Sequence, residues 1–394
     1  MNLESKIWWS FIYINLTLVS LQFLPIDVNS FRQTTFRVGL QSLKNQNEIA
    51  IKTRKKGLLK ADHLYFTYYP NNQFTIGIDR NLLVLNYNKS IIGKFREINF
   101  LNADTVIELT TKNGIKRLID GYLNLKLSNG ANSVISITAM IPEDKYLTDV
   151  LCTEAGMGQP QEYYRVQAII SRTYAYNNAL RHARSGYNYC DKQHCQVYNG
   201  YCDNKPAQNS VVASRGLVIT DKKDKLITSA YHANCGGNTC NSEDVWETQR
   251  SYFKAVHDRF CGDESKAEWQ RVISKKEWIS YLEKISGQSI EPAHADFSSQ
   301  NPNGEPVYHY KSISIKYAKI QDAFRLKSNW FSIEDRGHEL VLIGRGMGHR
   351  VGLCQQGARI MTMNGYNHKE VIKKYFSDVM IQNYKELIMK NLKN

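Results

Sequence analysis

The chain is 394 residues long, 42% hydrophobic and 22% charged, which excludes a disordered polypeptide and leaves room for more than one buried core. Its net charge of +14 suits nucleic acid, an anionic membrane or an acidic polymer. No zinc finger, helix-turn-helix or other nucleic-acid motif accompanies that charge, so no nucleic acid is expected as a partner and an anionic envelope is the better match.

Lys6 precedes a largely apolar run over 7–24, diluted by Asn15, Thr17 and Gln22, and small residues follow at Val28-Asn29-Ser30. Residues 1–30 therefore read as a signal peptide or an uncleaved N-terminal anchor, with a buried N-terminal helix as the alternative. An exported protein of the cell envelope is expected, touching the membrane only through this segment. Residues 31–137 read as a β-rich region, with strands over 36–40, 64–69, 74–78, 82–85, 106–110 and 123–127 separated by Asn and Gly turns. The basic run 52–56 reads as a solvated loop.

The stretch 142–186 carries the strongest pattern. Pro142 suits a first helical position, Glu143 and Asp144 favour a helix N-terminus, and Leu147, Val150, Leu151 and Glu154 recur on one face. A carboxylate thus shares an apolar stripe at a helix C-terminus. Burial and the helix dipole both raise its pKa, the condition for a general acid near neutral pH. The plain alternative is a glutamate that turns to solvent. Gly156 and Gly158 break this helix, and a second is expected from Pro160 to about Arg184. Val166, Ile169, Ile170, Thr173 and Leu180 form its apolar stripe; Gln167, Ser171 and Tyr174 form a second, and Arg165, Ala168 and Arg172 a third. Small residues among polar ones suggest a polar edge on a cleft, with a solvated face as the alternative.

Eight cysteines need partners. Cys190, His194 and Cys195 place three soft ligands within six residues, and His182 offers a fourth, a set that suits tetrahedral zinc. A Cys190–Cys195 or Cys195–Cys202 disulfide competes with that reading. Cys235, Cys240 and Cys261 lie near one another with no connectivity implied. Strands are expected over 217–220, 226–231 and 341–344, and helices over 355–363 and 369–376. His232 ends one strand, with Glu243 and Asp244 beyond it on polar ground; Trp269 and Trp278 suit either sugar stacking or burial. Gly344-Arg-Gly-Met-Gly-His349 permits a sharp turn or close approach to a ligand.

Four stretches together resemble the SpoIID (stage II sporulation protein D) family: 146–155 with 166–175 (Val-Gln-Ala-Ile-Ile-Ser-Arg-Thr-Tyr-Ala), 190–198, 231–246, and 344–358. They occur in family order, and the resemblance covers about 36–376. Arg165 stands where lysine is usual, Gly156-Met157-Gly158 replaces a tighter Met-Pro, and Arg350 replaces a glycine.

The resemblance implies an α+β fold in which the β-rich N-terminal region precedes a helix-plus-strand catalytic region, 138–394, around a cleft. It implies a peptidoglycan lytic transglycosylase in which Glu154 serves as general acid and then base, cutting between N-acetylmuramic acid and N-acetylglucosamine to leave 1,6-anhydro ends. Arg165, Gln167, Arg172, Tyr174, His232 and His349 would then contact the glycan or position Glu154. It favours one structural zinc on His182, Cys190, His194 and Cys195, with no organic cofactor, and peptide-stripped strands supplied by an upstream cell-wall amidase. Some relatives are described as amidase enhancers, so a non-catalytic glycan-binding protein is the alternative. A conventional hydrolase using Glu243 or Asp244 as second carboxylate is a third reading.

Overall fold

The computed structural model describes residues 34–101, 106–128, 133–261 and 267–391. The expected signal segment, 1–30, lies outside them. The first part of the described chain consists of strands, with one 3-10 turn at Gln41–Leu43: β1 (Thr35–Gly39), β2 (Glu48–Thr53), β3 (Gly57–Ala61), β4 (Leu64–Tyr68), β5 (Gln73–Asp79), β6 (Leu82–Tyr87), β7 (Ser90–Phe95), β8 (Glu97–Leu101), β9 (Val106–Thr111), β10 (Lys116–Asp120), β11 (Tyr122–Leu127) and β12 (Ile135–Pro142). Their cause is period-two alternation. In β2, Ile49 and Ile51 point inward while Glu48 and Ala50 face out. Tight turns between strands fall on residues with positive φ, among them Asp62, Asn71 and Asn88.

Two sheets result. One has the order β10-β9-β2-β5-β6-β7; the other places β1 beside β12, followed by β11, β8, β3 and β4. Inward residues of both, such as Ile76, Leu85 and Leu109 from the first and Leu59, Phe100 and Leu125 from the second, join one buried cluster. That cluster does not stop at residue 137. Tyr146, Leu147, Val150 and Leu151 of α1 (Glu143–Glu154) belong to it, and so do Tyr164, Ala168 and Ala175 of α2 (Gln161–Asn177). β12 runs straight into α1, so the sheet fixes the helix that ends at Glu154.

The opposite side of α2 lies in a second core. Tyr163, Val166, Ile169 and Ile170 pack there with Ile219, Val351, Leu353, Ala358 and Ile372. A helix covered on both sides has little polar edge left for a cleft. It also ends earlier than its pattern predicts: Asn178 returns its side chain to the Tyr174 carbonyl, and Leu180, expected on the apolar stripe, is 81% exposed beyond the helix.

After a short strand β13 (Tyr189–Cys190), parallel to β1, come α3 (Lys205–Ala213), β14 (Leu217–Thr220), β15 (Tyr231–His232) and α4 (Ser242–Val245). Only the end of the strand expected over 226–231 is paired as one. A third core follows, formed by β16 (Trp269–Ser274), α5 (Lys275–Ser286), β17 (Val307–Tyr310), β18 (Ile313–Lys316), α6 (Tyr317–Phe324), β19 (Phe331–Asp335) and β20 (Glu339–Gly344). Trp269 and Trp278 are buried in it, which removes them as sugar platforms. The chain then returns to the second core through β21 (Leu353–Cys354), α7 (Gln355–Met363), α8 (His368–Tyr375), β22 (Met380–Asn383) and α9 (Tyr384–Asn391). β21 pairs with β15 in parallel and β22 with β14. The architecture is a mixed α+β fold with a β-rich N-terminal region.

Candidate active site

The end of α1, the loop after β13 and the β15–β21 pair enclose a cleft of about 790 Å³. Glu154, Tyr174, Tyr231, His232, Trp246, His349 and Gln355 line it, with Arg181 and Lys327 as its cations. Among the described lining residues Glu154 is the sole carboxylate.

Glu154 is the last residue of α1 and is half-buried. Its Oε1 accepts the Val197 N–H at 2.8 Å, and the Tyr231 hydroxyl donates to the same carboxylate. Gln355 Nε2 donates to the Glu154 backbone carbonyl at 3.1 Å and so ties α1 to α7. Burial raises the Glu154 pKa above its usual value; the Val197 N–H and Tyr231 O–H pull it back only in part. No basic side chain forms a described ion pair with it.

His232 and His349 face one another with ring centroids 5.5 Å apart, and Trp246 lies 5.3 Å from His349. His349 Nδ1 accepts the Val351 N–H at 3.1 Å, which places its proton on Nε2. His232 directs Nδ1 at the Val351 carbonyl, 3.2 Å away, and its buried Nε2 has no hydrogen-bond partner among the described residues. Burial pushes His232 well below the ordinary histidine range and His349 down to about 4, so both rings are neutral at pH 7. The close approach depends on Gly348. Its φ is +106°, and a Cβ there would stand 2.8 Å from the Cβ of His232.

His182, Cys190, His194 and Cys195 converge at the rim, with one donor atom from each lying within 4.8 Å of the others. Cys195 Sγ is 3.3 Å from His182 Nε2 and 3.6 Å from His194 Nδ1; Cys190 Sγ is 3.8 Å from His194 Nδ1. Two thiols and two imidazoles in this arrangement fit a closed tetrahedral zinc site. His182 reaches it from a turn beyond α2 rather than from a helix. His194 and Cys195 also line the cleft, and Val197, the donor to Glu154, follows two residues later. The disulfide in this region is neither pairing the sequence raised. Cys152 joins Cys202, linking α1 to the far end of the same loop.

Three residues expected at the site lie elsewhere. Arg172 is fully buried. Its Nε donates to Glu143 at 2.6 Å, and its Nη atoms donate to the carbonyls of Ser214 and Val211, at the C-terminus of α3. It joins α1, α2 and α3 and does not reach the cleft. Gln167 is buried against the Tyr163 hydroxyl, and Arg165 pairs with Glu162 on its own helix at 3.0 Å; neither lines the cleft. Glu243 and Asp244 are also absent from its wall. Asp244 closes the capping box of α4 with Asn241, and Glu243 accepts from Gln249.

Tyr174 does face the cleft, held by Arg181 Nη1 at 2.7 Å from its hydroxyl. Sequence reasoning assigned no role to Tyr231, Trp246, Arg181, Lys327 or Gln355. Only their places inside or beside the glycine- and histidine-containing stretches could have marked the first two and Gln355.

Residues 131–220, from β12 to the end of β14, match the SpoIID family, described as "Stage II sporulation protein". Over these residues the chain is similar to the SpoIID family. An uncharacterised protein of Brachyspira hyodysenteriae is 26% identical to it over 89% of this chain and 94% of its own. Stage II sporulation protein D of Bacillus amyloliquefaciens is 25% identical over 61% of this chain and 74% of its own. The amidase enhancer of Bacillus subtilis is 23% identical over 60% of this chain and 40% of its own length.

Proposed function

We propose that this protein acts on the bacterial cell wall as an exported lytic transglycosylase, cutting peptidoglycan glycan strands with Glu154 as its general acid. The observation that carries this reading is Glu154, the single carboxylate among the cleft's described lining residues, half-buried and raised in pKa. Glu154 in its protonated form donates to the glycosidic oxygen as the bond to C1 of N-acetylmuramic acid breaks. The resulting carboxylate takes the proton of that sugar's C6 hydroxyl, whose oxygen closes on C1 to form the 1,6-anhydro ring. Attack from within the same sugar removes the need for a bound water and a second carboxylate. The neutral imidazoles, Tyr174 and Trp246 offer hydrogen bonds and a ring face to the glycan; Arg181 and Lys327 suit its anionic groups.

Zinc on His182, Cys190, His194 and Cys195 would be structural and would supply no chemistry to the reaction. By holding the loop from Cys190 onward, these residues keep the Val197 N–H against Glu154. A non-catalytic, amidase-enhancing role is the second reading, supported by the relative that bears that name. An amidase that strips stem peptides upstream is a partner compatible with either.

Mass spectrometry of peptide-free glycan strands after incubation with the protein separates the alternatives. Anhydro-terminated fragments are expected. Reducing ends would replace the lyase with a hydrolase, and intact strands would leave the binding role.

A further inference from the structure

Behind the cleft lies a second group of ligand-type side chains. Cys235, Asp258, Cys261 and Cys354 each present one donor atom within 4.8 Å of the other three, and all four are buried. We propose that these residues form a second metal site, a buried three-thiolate, one-carboxylate zinc centre that locks the rear wall of the cleft.

The geometry is that of a preformed cage. Zinc–sulfur bonds of about 2.3 Å in a tetrahedron set neighbouring donors roughly 3.8 Å apart, and a cluster spanning 4.8 Å contracts to that with small side-chain rotations. Asp258 Oδ2 is 3.5 Å from Cys235 Sγ and accepts the Tyr375 hydroxyl at 2.7 Å, while Oδ1 accepts the Phe260 N–H at 3.2 Å. A ligating carboxylate oriented by a tyrosine and a backbone amide is the usual outer layer of a metal centre. The Cys354 sulfur accepts N–H groups from Cys235 and Gly357, as a thiolate does. Gly357 is tight against the cluster: a Cβ there would lie 2.2 Å from the Asp258 carboxylate.

Charge points the same way. No described ion pair involves Asp258, and a buried carboxylate among three thiols lacks the counter-charge that burial demands. A divalent cation supplies it. The four ligands come from the loop after β15, the turn at 258–261, where Tyr375 of α8 contacts Asp258, and the end of β21. β15 sets His232 beside Cys354, and Gln355, next in the chain, bonds the backbone of Glu154. One ion would therefore fix the histidine wall relative to the acid.

Zinc counting by elemental analysis and native mass spectrometry tests this without reference to activity. The His182→Ala/Cys195→Ser double variant, which removes the rim cluster, should retain about one zinc per chain, and adding Cys261→Ser should remove it. A folded double variant without zinc overturns the site. If that variant does not fold, the unvaried chain decides. Two zinc ions, with Cys235, Cys261 and Cys354 all recovered as alkylated thiols after denaturation with chelator, support the proposal. A disulfide between any two of them, or a zinc count that Cys261→Ser leaves unchanged in the otherwise unvaried chain, overturns it.

Discussion

At the scale of the residue, Glu154 is a carboxyl whose folded pKa stands above its unfolded value because burial disfavours the anion. The sign of its linkage follows. Below the unfolded pKa of about 4.3 both states hold the proton and nothing is lost; as pH rises towards the folded pKa only the unfolded chain ionises, and stability falls. Glu154→Gln keeps the acceptor for the Val197 N–H and removes that loss. Its melting temperature should exceed wild type at pH 7.5 and match it at pH 4, by thermal unfolding at both. A variant less stable than wild type at pH 7.5 would show an ion-paired structural glutamate instead. The helical stripe and the terminal position announced burial of this residue, but its hydrogen-bond partners Val197 and Tyr231 sit in distant parts of the chain and left no local signal.

At the scale of the element, α2 shows how a sequence pattern misleads. Arg172 and Gln167 read as a polar edge because side-chain chemistry alone does not reveal a partner. Glu143 and the carbonyls of Val211 and Ser214 at the end of α3 make the arginine a buried bracket instead. Arg172→Ala should destabilise the fold by about 3–5 kcal/mol in chemical denaturation, since it strands a buried glutamate. A loss below about 1 kcal/mol would place that arginine outside the bracket. The loop from Cys190 to Val197 is the other element of consequence. Cys195→Ser should lower bound zinc and the melting temperature together and slow glycan cleavage through Val197, as read by elemental analysis, calorimetry and turnover. Unchanged metal content would remove zinc from this loop.

At the scale of the whole molecule, the strands with clear alternation and the ends of α1, α7 and α8 were legible, because each rests on residues a few positions apart. The sheet order, the shared core across residue 137 and the Cys152–Cys202 disulfide depend on contacts far apart in sequence. The cleft itself was half visible: Glu154, Tyr174, His232 and His349 meet there, while Trp246 and the cations Arg181 and Lys327 appear only when three cores are assembled around it. Arg350 has a φ of +64° and stacks its guanidinium 4.4 Å from the Trp330 ring. All of this packing holds one acid in one place, so the most direct measurement is the yield of 1,6-anhydro fragments from peptide-free glycan strands with Glu154→Gln beside wild type. Loss of the general acid should cut that yield by about 100-fold or more in a variant that melts no lower than wild type at neutral pH. Anhydro products released at a rate near wild type would contradict the account.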